Sequence, residues 1–157
     1  MKHALPSARN SGRTETANSR VRVILDTNIL VSALIRRDSI PGQVLEPWFD
    51  DRLVLLIHPL LLEELRAVTR RPRIRALIRP SEAGRLINQV RALAEPVIDL
   101  PPTRRSEDPA DDFLLAMSEA GRADYLVTGD KSDLLALRRH DRTAIVTARA
   151  FLEVLIK

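Results

Sequence analysis

Several acidic residues in this 157-residue chain stand where an acid can do more than solvate a surface. Asp26 directly follows the apolar run VRVIL, Glu64 lies inside LLEEL, Asp108, Asp111 and Asp112 crowd the segment DPADD, and Asp130 follows YLVTG. There is no Cys, which excludes disulfides and thiolate metal sites. The three His (His3, His58 and His140) are scattered and do not suggest a zinc-hydrolase site. A metal bound here would be held by oxygen, which favours Mg²⁺ or Mn²⁺ over Zn²⁺.

Each acid also has a plainer reading. Asp26 could cap the helix that follows it, and Asp108 and Asp111 are explained by capping and by the helix dipole. Asp112 lies one turn in, with Ala116 four residues on along the same face. Glu64 borders the stripe Leu61, Leu65 and Val68 and, taken alone, reads as a surface residue. The set Asp26, Glu64, Asp112 and Asp130 carries more weight than its members. Four carboxylates brought to one edge repel each other strongly unless a cation is present. Mg²⁺ held by carboxylates and waters can bind phosphate oxygens and acidify a bound water. That is sufficient for hydrolysing a phosphodiester without a His or Ser nucleophile.

The elements that must position these acids alternate from Val21 onward. Val21–Leu25 is a short apolar strand, and helical spacing follows from Ile29 to Ile35. Gln43–Phe49 reads as a short or kinked helix containing Pro47. Leu53–Ile57 is a strand, Leu60–Arg70 a helix stopped by Pro72. Ser81 is placed to cap a helix whose apolar face is Leu86, Ile87, Val90, Leu93 and Ala94. Pro96–Leu100 reads as a strand, and Asp108-Pro109 opens a helix to about Ala120. Tyr125–Thr128 is a strand, Leu134–Arg138 a helix, Ala144–Val146 a strand, and Thr147 caps the last helix. About five short apolar strands separated by helices predict a three-layer α/β/α sandwich around a mostly parallel sheet. In such a sheet Asp26 and Asp130 occupy strand carboxyl ends, where ligands bind.

The formal net charge of +4 is uneven. Residues 1–20 hold +3 and read as a disordered, polar tail ahead of a folded domain at 21–157, whose body is nearly neutral. Between Glu64 and Glu82, however, there are six Arg and no acid: Arg66, Arg70, Arg71, Arg73, Arg75 and Arg79. Such a cluster suits a polyanion, or else forms a solvated helix end favoured by the dipole. No apolar run approaches the roughly 20 residues that span a bilayer, and no secretory h-region is present, so the expected compartment is the cytoplasm.

The segments ILDTNILVSAL, HPLLLEELRAVTRRPR, DPADDFLLAMSEAGRADYLVTGDKSDLLAL and TAIVTARAFL, in this order, resemble the PIN (PilT N-terminus) domain over about residues 21–155. More narrowly, they resemble the VapC-like toxins of bacterial toxin–antitoxin modules. The resemblance implies a Mg²⁺- or Mn²⁺-dependent endoribonuclease in which Asp26, Glu64 and Asp112 bind metal and Asp130 completes the shell or orients water. Asn28 matches a residue supporting the first Asp, and Thr128 a hydroxyl beside the last. Asp112 is preferred to Asp111 because Ala116 falls where the family's small helix residue follows the third acid. Asp108 and Asp133 are extra acids without an assigned role. His58 occupies a place where a small hydroxyl is common and which serves the strand–helix turn. The resemblance further implies an RNA substrate, a cognate antitoxin and a homodimer, to which Trp48 and Phe49 could contribute if they are not core. Arg66, Arg70, Arg71 and Arg73 would then track RNA.

Two other phosphoryl chemistries fit poorly. A haloacid-dehalogenase-like phosphatase needs an acid two residues after the first Asp, where Asn28 stands. A receiver domain needs an acidic pair near its start and a late Lys after a strand, whereas Lys131 directly follows Asp130. The remaining alternative is a PIN scaffold that binds RNA or protein with weak or no catalysis.

Overall fold

The computed structural model describes residues 20–129 and 132–156. The tail expected at 1–20, apart from Arg20, and the candidate acid Asp130 lie outside the described residues. The elements are, in order, β1 (Val21–Leu25), α1 (Thr27–Ile35), α2 (Ile40–Phe49), β2 (Leu53–Ile57), α3 (Pro59–Thr69), α4 (Pro72–Arg75) and α5 (Pro80–Leu93). They continue as β3 (Glu95–Pro96), α6 (Pro109–Ala120), β4 (Tyr125–Val127), α7 (Ser132–Leu137), β5 (Arg139–His140), β6 (Thr143–Val146) and α8 (Ala148–Leu155).

Side chains alternate faces along a strand, so consecutive buried residues mean that both faces are covered. Val23, Ile24 and Leu25 of β1, Leu55, Leu56 and Ile57 of β2, and Leu126 and Val127 of β4 are all buried. The expected three-layer α/β/α arrangement follows from this, with the core on both sides of the central strands. Among the described residues the sheet has six strands in the order β3-β2-β1-β4-β6-β5, all parallel except the β5–β6 hairpin.

The sequence reading differs from this at several points. The sixth strand, β5, is two residues long and polar, too short to show a pattern. Asp141 turns its hairpin at φ 55°, a conformation that Asp tolerates better than most residues. The third strand is confined to Glu95–Pro96 rather than Pro96–Leu100. Ser81 caps nothing: α5 begins one residue earlier at Pro80, whose ring presets the first helical turn, with Arg79 at the N-cap. The helix containing Pro47 starts at Ile40, because the Ser39 hydroxyl accepts from the Gly42 amide and Pro41 sits in the first turn. Trp48 is 6% exposed and belongs to the core, which leaves it little surface for a partner.

One clasp at the amino edge of the sheet fixes its register. The Arg22 guanidinium donates to both Glu95 carboxylate oxygens and to the Gly121 carbonyl, while its backbone amide donates to Asp124. It thereby ties β1 to β3 and to the end of α6.

Candidate active site

The chain runs from β1 outward to β2 and β3, then returns to the other flank of β1 with β4 and β6. The reversal of strand order therefore lies between β1 and β4, and in parallel sheets the crevice beyond the carboxyl ends at such a point is where ligands bind. Leu25 pairs with Val127, so Asp26 and Thr128 are the next residues out on adjoining strands.

Asp26 is 5% exposed and Thr128 fully buried. The Thr128 hydroxyl donates to Asp26 Oδ2 at 2.9 Å, across the reversal. Asp26 occupies the N-cap position of α1, yet its side chain makes no capping bond; its backbone carbonyl instead accepts from the Ile29 and Leu30 amides. The capping explanation for a buried acid at this position is thereby removed. Thr27 is also buried, and its hydroxyl donates at 3.2 Å to Oε1 of Glu64, which projects from α3 and is otherwise exposed. Glu64 is thus tied to the residue next to Asp26.

His58 follows β2 as the N-cap of α3 and uses Nδ1 to accept from the Leu60 amide at 3.0 Å, so a ring nitrogen does the capping at this strand–helix turn. Its ring meets Phe113 of α6 edge-on, with centroids 5.0 Å apart. This contact brings the acidic start of α6 to the carboxyl ends of the strands. The helix begins as the sequence predicts, with Asp108 accepting from Ala110 and Pro109 in the first turn.

Within α6 the two adjacent acids take opposite parts. Asp112 Oδ1 accepts from the Arg105 and Ser106 amides, both at 2.9 Å, and so secures the incoming loop. Asp111 is 3% exposed, in line with buried Leu114, Leu115 and Ser118, and its Oδ2 accepts from the Ser106 hydroxyl at 3.3 Å. Asp111, rather than the Asp112 preferred from the sequence, is thus the more buried of the two. Arg105 extends the loop anchor, donating to the Arg139 carbonyl and to His140 Nδ1, while His140 Nε2 contacts Glu119 at 3.1 Å. Asn28 is exposed and makes no hydrogen bond to Asp26; the supporting contact to that acid comes from Thr128.

Sequence reasoning missed Thr27 and Ser106. Thr27 had a readable signal, a hydroxyl directly after the strand-end acid. Ser106 had only its place in a short polar run before Asp108-Pro109.

The donors at this edge are carboxylate and hydroxyl oxygens, the chemistry that suits a hard divalent cation. Among the described residues no three acidic or His side chains stand close enough to hold a metal ion. Glu64 is tied to Thr27, the residue after Asp26, while Asp26 itself is held by Thr128. A hollow of about 970 Å³ lies elsewhere: Trp48, Phe49, Leu53, Leu86 and Leu93 line it near the amino ends of β1 and β2, and none of the described candidate acids does.

The PIN domain family model matches residues 22–132, and the chain belongs to that family, which consists largely of nucleases. A relative that is 27% identical over 128 residues, 78% of this chain and 79% of the relative, is the uncharacterized protein MJ1680 of Methanocaldococcus jannaschii. Among solved structures, PAE2754 from Pyrobaculum aerophilum superposes with a TM-score of 0.57 over 87% of this chain and 90% of that chain. At 18% sequence identity that likeness establishes the fold. PIN nucleases generally use divalent metals and bind RNA.

Proposed function

We propose that the chain is an endoribonuclease dependent on Mg²⁺ or Mn²⁺. The observation that carries this reading is Asp26: a buried carboxylate at the strand reversal, anchored by a buried hydroxyl and not engaged in capping. Asp26, Glu64, an acid from the start of α6 and Asp130 form the metal-binding set. Burial supports Asp111 for the α6 position, with Asp112 retaining the loop that carries Ser106. When bound, the metal supplies charge neutralisation at the scissile phosphate and an acidified water. The protein's own part is positional. Thr128 fixes the direction of Asp26, Thr27 holds Glu64 toward it, and Ser106 orients Asp111. Arg66, Arg70, Arg71 and Arg73 supply positive charge on and beyond α3 for the RNA backbone.

The toxin role in a toxin–antitoxin pair, with a protein antitoxin and a homodimeric form in the cytoplasm, belongs to the same proposal and rests on the motif resemblance. Induced expression in a bacterial host tests it: growth arrest by the wild type, absent for Asp26→Asn, is expected of a toxin.

Purified protein incubated with mixed RNAs and Mn²⁺ or Mg²⁺ should cleave them, with cleavage lost in chelator and in Asp26→Asn. RNA bound but left intact under every metal condition would instead support the binding module.

A further inference from the structure

The arginine-rich stretch of the sequence is divided by the fold. Arg66 of α3, Arg70 at its C-cap and Arg75 of α4 line a concave pocket of about 390 Å³ against α5, together with Thr69, Asn88 and Gly84. Arg71 and Arg73 do not line it. No acid is among the lining residues, and none of the three pocket arginines forms an ion pair with a described residue. Arg66 and Arg70 stand four apart on one helix, a spacing at which like charges destabilise. Three guanidinium groups with no carboxylate partner around one hollow form an incomplete electrostatic arrangement that an anion would complete.

Gly84 adds a steric observation. It lies inside the fourteen-residue α5, where Gly is the poorest helix former after Pro. A Cβ built on it meets nothing within 4 Å. Gly84 lines both this pocket and the larger hollow near Trp48, so packing among the described residues gives no reason for the missing side chain, whereas an occupant beside it would. The pocket is also distinct from the candidate active site. On α3, Thr69 and Arg70 lie about 140° and 240° around the helix axis from Glu64, so the hollow is on another flank.

We propose that Arg66, Arg70, Arg75 and the open face at Gly84 form a phosphate-binding site separate from the carboxylate centre. On the ribonuclease reading, on which this source of phosphate rests, the occupant is a phosphodiester of the RNA substrate, held away from the cut. A free phosphorylated small molecule offers the same chemistry.

Binding of a fluorescent single-stranded RNA is measured by anisotropy in chelator, so that cleavage plays no part. The variants are Arg66→Gln/Arg70→Gln/Arg75→Gln, the control Arg52→Gln/Arg149→Gln at exposed arginines outside the pocket, and Gly84→Leu, which adds a side chain at a lining residue without altering charge. The triple variant should flatten the slope of log K against log salt by about 2, on the order of 100-fold weaker binding at 0.1 M salt if the curves converge at 1 M. The control should change the slope by less than half as much. Gly84→Leu should weaken binding while its melting temperature holds or rises. Thermal-shift titrations with inorganic phosphate and with a nucleoside monophosphate identify the source. Stabilisation by either that is lost in the triple variant, with RNA binding unchanged, assigns the site to a small molecule and overturns the RNA assignment. Equal losses in the triple and control variants, or full RNA and phosphate binding by Gly84→Leu, would overturn the site itself. Failure of metal-dependent cleavage with these binding differences intact would remove the nuclease reading and leave the site standing.

Discussion

The bond from Thr128 to Asp26 can be tested directly. Thr128→Val keeps the shape of a fully buried side chain but removes the hydroxyl, which is the side-chain donor to Asp26 among the described residues. Asp26 is 5% exposed, so water cannot readily replace the lost donor. A hydrogen bond to a charged group contributes about 1.5–3 kcal/mol, and leaving one partner buried makes the upper part of that range appropriate. The expected fall in melting temperature is roughly 5–12 °C for a domain of this size. Urea denaturation at constant m-value gives the energy, and the same substitution in an Asp26→Ala background completes a cycle. There the hydroxyl has no carboxylate to serve, and its replacement should cost less than about 0.5 kcal/mol or stabilise. Outer partners of metal-binding side chains typically matter about 10–100-fold, and Thr128→Val should slow metal-dependent cleavage by that factor. Equal destabilisation in both backgrounds would refute the reasoning, because the hydroxyl would then be acting on something other than Asp26.

The two acids of α6 should separate. Asp112→Ala removes the acceptor for two loop amides and should cost about 1–2 kcal/mol in chemical denaturation, while Asp111→Asn should produce the larger loss of cleavage in a metal-dependent assay. Gly42→Ala should destabilise by about 3 kcal/mol, at the upper end for overpacking, since its Cβ would fall 2.1 Å from the Arg37 carbonyl oxygen, a backbone atom that cannot swing aside. Loss of the α6 cap in Asp108→Ala should cost about 1 kcal/mol by thermal melting and leave binding of RNA in chelator unchanged.

The position of Asp26 was legible because one short apolar run followed by an acid is enough to locate a strand end. Its freedom from capping was not, since the same sequence serves either geometry and only the Thr128 contact, 102 residues away, decides between them. The acids of α6 show the limit in another way. Adjacent helical residues differ by about 100° around the axis, so which one faces inward depends on where the sheet lies. The spacing Asp111, Leu114, Leu115, Ser118 marks the buried face, which Ala116 shares with them, so sequence spacing alone does not separate Asp111 from Asp112. The helix starts with strong local chemistry, Asp108-Pro109 and Thr147, were readable, and both residues cap as expected. β5 was not, because two polar residues become a strand only through pairing with β6.

The two margins of the sheet limit how copies of this chain could associate. One margin is β3, two residues long, where Pro96 has no amide hydrogen to offer; the other is the equally brief β5, with exposed Arg139. Neither presents a row of free backbone groups long enough to template another strand. Among the described residues, continuous pairing of strands from one copy to the next is therefore disfavoured at both ends. Association of copies through the described residues would then use surfaces other than these strand margins.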